Sequence, residues 1–176
     1  MIKDYRFKTK PYGHQIKALE KSWGQETYGL FMEMGTGKSK VLVDNMAMLY
    51  DRGAIRGALI VAPKGVYKNW DQIEFPTHMP EHVEYTKVLW EANLTQRKQC
   101  ELDTLFDGKG DFKILIMNVE ALSTEKGLDF AHSFLNIFLG RALIGIDEST
   151  TIKNPTAKRT KNILKLRDLA KYRRIL

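Results

Sequence analysis

The chain has 176 residues, 43% of them hydrophobic, which suits one domain with a substantial core and excludes a disordered polar chain. Its net charge is +7 with a pI near 9.4, from 28 Lys+Arg against 21 Asp+Glu, a balance that fits a polyanionic partner such as nucleic acid. No apolar run is long enough to cross a bilayer, "MIKDYRFKTK" lacks the apolar stretch of a secretory signal, and the lone Cys100 excludes an intrachain disulfide or a cysteine zinc site. The expected setting is therefore cytosolic (or nuclear in a eukaryote), neither secreted nor membrane-bound, with Cys100 packed inside a helix.

In chain order, "GHQIKALEKSW" places Ile16, Leu19 and Trp23 at helical spacing. "YGLFMEM" reads as a short buried strand running straight into a glycine loop. "SKVLVDNMAMLYDRG" reads as a helix stopped by Gly53, and "GALIVAP" as a strand ended by Pro63. "VYKNWDQIEF" is a short helix stopped by Pro76, and "HVEYTKVLW" alternates as a strand does. "LTQRKQCELDTLF" is helical, with Thr95 a candidate cap. "FKILIMNVEAL" holds a continuous buried strand and a helical turn, "FAHSFLNIFLG" a helix, and "RALIGIDES" a buried strand ending in two carboxylates. "TAKRTKNILKLRDLA" is a basic amphipathic helix with Ile163, Leu166 and Leu169 or Ala170 inside. Continuous strands separated by helices imply an α/β fold whose parallel sheet is covered on both faces. In such folds ligands bind at the carboxyl ends of the strands, where both the glycine loop and the acidic pair fall.

Those two segments carry the chemistry. "GTGKS" matches the end of G-x-x-x-x-G-K-[ST], with Met32 where that pattern has its first glycine. Gly35 and Gly37 allow backbone N–H groups to turn inward on a phosphate, and the helix starting near Lys38 adds its positive end. Lys38 would reach the β- and γ-phosphates, and the Ser39 hydroxyl would hold Mg²⁺. Met34 and Thr36 complete the loop around the nucleotide. A nucleotide hydrolase also needs a carboxylate for the metal and a group to orient water. "LIGIDEST" offers Asp147 for the first task and Glu148 for the second. From Lys153 to Arg174 the basic residues are Lys153, Lys158, Arg159, Lys161, Lys165, Arg167, Lys171, Arg173 and Arg174, against the single acid Asp168. That run is either a solvated face or a contact for a polyanion.

The order "PYGHQIKAL", "EMGTGKS", "LIVAPKGVYKNW", "ILIMNVEAL" and "IDESTTIKNPTAKRTK" resembles the first RecA-like lobe of superfamily-two helicases, most of all the Swi/Snf-type DNA translocases. That family's loop has no glycine at the position of Met32, and Lys-Asn-Pro after the acidic box is its most specific mark. The resemblance implies a three-layer, RecA-like P-loop NTPase lobe over residues 1–176 with a mainly parallel sheet, using ATP and Mg²⁺. Gln15 matches the adenine-reading glutamine. Lys64, Asn69, Ser123 and Lys153 fall in segments that meet nucleic acid in relatives, whereas Trp70 reads as a packing residue. Thr150 stands where the acidic box usually has histidine. "AKYRRIL" resembles the strand before the family's Thr-Gly-Thr-Pro motif, so a second lobe, in the same protein or a partner chain, is expected to supply an arginine finger. The isolated lobe would then hydrolyse ATP poorly. The expected partner is double-stranded DNA. Three other readings share parts of this pattern: an RNA or strand-separating DNA helicase lobe, an idle basic binding module, and, more remotely, a small-molecule kinase.

Overall fold

A computed structural model describes residues 2, 4–93, 95–148 and 154–176. Six strands form one sheet: β1 (Thr27–Gly29), β2 (Gly57–Ala62), β3 (Tyr85–Leu89), β4 (Phe112–Asn118), β5 (Gly140–Ile146) and β6 (Ala170–Ile175). Their order is β1-β6-β5-β2-β4-β3, and every pairing is parallel. Parallel neighbours need crossover connections, and helices supply them. One face carries α1 (Gly13–Ser22), α2 (Lys38–Asp51), α3 (Tyr67–Asn69) and α4 (Phe75–His78); the other carries α5 (Gln96–Asp103), α6 (Glu125–Asn136) and α7 (Lys158–Leu166). Side chains of β2 alternate between the two cores, Ala58 and Ile60 toward α2 and Leu59 and Val61 toward α6, as the strand period of two requires. This is the expected three-layer α/β arrangement. No helix among the described residues is long and apolar enough to span a membrane.

Several boundaries differ from the sequence reading, each for a local reason. β1 is short because it is an edge strand whose only neighbour is β6, and its last ladder bond is Leu30 N–H to Ile175 C=O at 2.7 Å. Phe31, 86% exposed, then folds its ring back over Gly29, a contact that any Cβ at Gly29 would obstruct. Pro76 does not end its helix. A π turn over Trp70–Glu74 widens the helix just before it, α4 continues to His78, and the ring escapes the clash expected in a regular α-helix. The run stops at Met79, which is extended because Pro80 follows. α6 begins earlier than expected, where Thr124 Oγ1 accepts from Gly127 N at 3.1 Å. The Thr95 cap forms as predicted, on Lys98 N at 3.2 Å, but Cys100 on that helix is exposed rather than packed. α7 ends at Leu166, so Ala170 is buried as the first residue of β6 instead of the last of a helix.

Arg174 corrects the charge reading. It belongs to the basic run, yet it is wholly buried, toward α2. Its Nε donates to Asn45 Oδ1 at 2.9 Å, its Nη2 to the carbonyls of Ser22 (2.9 Å) and Gln25 (2.7 Å), and its Nη1 to those of Glu26 (3.2 Å) and Arg173 (2.9 Å). A guanidinium has five N–H donors, enough to tie the α1–β1 connection, α2 and β6 together. Burial pulls its pKa down to about 10.

Candidate functional site

Three strand ends lie side by side at the carboxyl edge of the sheet. Gly29 and Ile146 are both in register with Ile175, and Leu176 N–H donates to Ile146 C=O at 2.9 Å. The chain leaving β1 therefore emerges two strand spacings, roughly 10 Å, from the chain leaving β5. Leaving β1, the chain forms the glycine loop; leaving β5, it forms Asp147-Glu148.

The loop is built by its own backbone. Gly35 and Gly37 take φ of +74° and +78°, the left-handed region that glycine reaches without strain, and Gly37 is the N-cap of α2. Thr36 Oγ1 donates to Glu33 C=O at 2.6 Å, and Lys38 Nζ spans the loop to Met32 C=O at 3.1 Å. Met32 thus serves through its carbonyl, and its side chain leans on the core, so a glycine there is dispensable. Met34 is 94% exposed. Ser39 is half-buried in the first turn of α2. Gln15 is buried against the loop: its Nε2 donates to Thr36 C=O at 3.0 Å and its Oε1 accepts from Tyr12 N at 2.9 Å. Its amide ties the loop to the N-terminus of α1, and a Cβ on Gly37 would collide with it.

Packing brings Lys38 and Asp147 to the same face of the sheet at its carboxyl edge. Gly145 lies beneath α2, where an added Cβ would come within 2.8 Å of Leu42 Cδ2 and 2.9 Å of Ile60 Cδ1. Leu42 is one helical turn from Lys38 on the same side of α2, and Gly145 is two residues from Asp147 on the same side of β5. Lys38 and Asp147 thus sit one short step from a shared contact, on the same face and at the same edge.

Asp147 is held at both ends. Its backbone N–H donates to Val61 C=O at 2.8 Å, and its Oδ2 accepts the indole Nε1–H of Trp70 at 2.9 Å. Trp70 is 1% exposed and packs on Phe75, so it is a packing residue as expected, with a polar contact the sequence reading missed. Glu74, on the same π turn, has its pKa raised, first by burial and then by the negative charge of Asp147. Glu148 is exposed with φ of +55°, a conformation uncommon outside glycine and asparagine. No three His, Cys, Asp or Glu side chains converge among the described residues. A Mg²⁺ held by one carboxylate, a hydroxyl and phosphates needs no such cluster, so the donor set of Asp147 and Ser39 suits that ion.

The candidate nucleic-acid residues lie farther along the same edge. Lys64 follows β2 and Ser123 follows β4, neighbours joined by Val119 N–H to Ala62 C=O at 2.9 Å. Lys64 and Asn69 are exposed, and Ser123 is half-buried at the end of a 3₁₀ turn, Ala121–Ser123. Asn162 of α7 donates to Leu122 C=O at 2.7 Å, fixing that turn to the basic helix. Lys153 and Thr150 lie outside the described residues.

A family model described as the SNF2-related domain matches residues 14–176. The chain belongs to that family. The match takes in the glycine loop, the acidic pair and the edge between them. Two relatives from Arabidopsis thaliana are "Protein CHROMATIN REMODELING 24", 27% identical over 90% of this chain and 15% of its own length, and "Probable ATP-dependent DNA helicase CHR12", 30% identical over 75% and 11%. The Sulfolobus solfataricus SWI2/SNF2 ATPase core in complex with dsDNA shares the fold with a TM-score of 0.69 at 21% identity, over 98% of this chain and 32% of that one. A nuclease-deletion mutant of the Type ISP restriction-modification enzyme LlaGI, in complex with a DNA substrate mimic, gives 0.55 at 14% identity, over 95% and 17%. The chain spans about a third or less of each.

Proposed function

We propose that this lobe binds Mg-ATP in the cleft between the glycine loop and Asp147, and that the protein it serves couples hydrolysis to movement along double-stranded DNA. The observation that carries this reading is the packing of Leu42 on Gly145, which supports one cleft shared by Lys38 and Asp147. Backbone amides of Met34–Gly37 and the N-terminus of α2 would hold the phosphates. Lys38 would leave Met32 C=O for the β- and γ-phosphates, and Gln15 would read adenine by exchanging one of its two present bonds. Ser39 and Asp147 would hold Mg²⁺, which when bound would supply positive charge to the phosphates. Glu148 would orient the attacking water.

Lys64, Asn69 and Ser123, with Lys153 and the exposed lysines of α7, would track a DNA backbone along the edge next to the cleft. Recognition of this kind is mostly of phosphates, so binding should weaken steeply with salt and depend little on sequence. An arginine finger from a second lobe, in the same protein or a partner chain, would raise turnover about 10³-fold or more over this lobe alone.

Calorimetry tests the reading directly. The chain should bind Mg-ATP, Lys38→Ala should abolish that binding without unfolding, and Glu148→Gln should keep it. Absence of Mg-ATP binding by the intact chain, or equal binding by Lys38→Ala, would refute the assignment. Strong DNA-stimulated turnover by these residues alone would refute the need for a second lobe.

A further inference from the structure

A metal carboxylate at the end of a strand has a fixed backbone but a free χ1, and something must set where its oxygens point. Here the backbone is set by β2, through Val61 C=O. The side chain is set by Trp70, 77 residues away in sequence, whose indole N–H lies 2.9 Å from Oδ2. Indole nitrogen is a donor only, so this bond can be made to a carboxylate oxygen and never to a metal or a proton donor. It takes one lone pair of Oδ2 and so fixes the direction in which the carboxylate faces.

Trp70 is itself held rigidly. Its ring is buried and rests on Phe75, and it opens the π turn Trp70–Glu74, whose Asp71 pairs with Lys87 on β3. Such turns insert one residue into a helix and re-aim the side chains beside it, and they recur at functional sites. Trp70 also follows Asn69 directly, so the carboxylate is tied to the segment proposed to meet the DNA backbone.

We infer that Trp70 is a positioning residue for the nucleotide-bound metal, aiming the Asp147 carboxylate through its indole N–H. This rests on the nucleotide reading given above. Partners of this kind orient a ligating carboxylate, and losing one typically weakens metal binding about 10–100-fold.

The test uses the ¹⁵N-labelled chain, whose indole signals come from three tryptophans, Trp23, Trp70 and Trp90. Trp70→Phe assigns the Trp70 signal. Asp147→Asn should then shift the Trp70 signal and leave the other two in place. In the nucleotide-loaded chain Mn²⁺ should broaden the Trp70 signal first. Trp70→Phe should weaken Mn²⁺ binding about 10–100-fold while metal-free nucleotide affinity stays unchanged, a split that a merely structural role would not give. Unchanged Mn²⁺ affinity in Trp70→Phe, or an unmoved Trp70 signal in Asp147→Asn, overturns the inference. If Trp70→Phe fails to fold, Trp23→Phe and Trp90→Phe assign the Trp70 signal by elimination and the Asp147→Asn shift still decides. If the wild-type chain binds no nucleotide, the functional reading falls, and that same shift judges the bond separately.

Discussion

Gly145→Ala offers a sharp test of how α2 is seated. The new methyl group would lie 2.8 Å from Leu42 Cδ2 and 2.9 Å from Ile60 Cδ1. Carbon atoms settle at about 3.5–4.0 Å, so α2 must rise from β5 by roughly 1 Å or the side chains must leave their rotamers. Overpacking of this size costs about 1–3 kcal/mol, and for a domain this long each kcal/mol lowers Tm by about 2–4 °C. Leu42→Ala alone should cost about 2–5 kcal/mol by opening a cavity. In the double variant the alanine methyl occupies part of that space, so the two losses should fall short of their sum by about 1–3 kcal/mol. Denaturant melts of the four proteins measure the coupling. The nucleotide assay reads the functional side, because lifting α2 carries Lys38 away from Asp147, and misplacements near 1 Å can cost on the order of 100-fold. Strict additivity of the two substitutions would refute the packing argument.

Three further expectations follow from buried and exposed charge. Arg174→Met should cost about 3–5 kcal/mol, because the carbonyls of Ser22, Gln25 and Glu26 lose their donor, and chemical denaturation measures it. Asp44 is buried beside Lys40 at 2.7 Å, and burial raises its carboxyl from 3.8 to about 6 against the pull of that lysine. The fold therefore binds a proton between pH 4 and 6 that the unfolded chain releases, so stability falls as pH rises through that window, by on the order of 3 kcal/mol at most. The stability difference between wild type and Asp44→Asn should show that slope and flatten above it; a difference independent of pH would count against it. Lys64→Ala should lower the salt dependence of duplex binding by about one unit of log–log slope, equally on unrelated sequences, as fluorescence anisotropy would report.

Much of this architecture could be read from the order of residues because the relevant signals are local. A short continuous apolar run bounded by glycine and proline, such as "GALIVAP", reads as a strand buried on both faces, and Gly35 and Gly37 announce a left-handed loop before a helix. Caps are equally local, as Thr95 shows. Local signals mislead where a distant neighbour or an unusual turn intervenes. Pro76 should end a helix, and does not, because a π turn precedes it. Arg174 counted toward a basic surface, and is instead the buried clamp of β6.

By itself the sequence determined the family, the alternation of strands and helices, and which residue types could hold phosphate and metal. Only tertiary structure decided which of them meet. The pairing of Gly145 with Leu42, of Asp147 with Trp70, and of Gln15 with Thr36 joins residues between 21 and 103 positions apart. Such contacts arise from strand order and crossover packing, which no local period records.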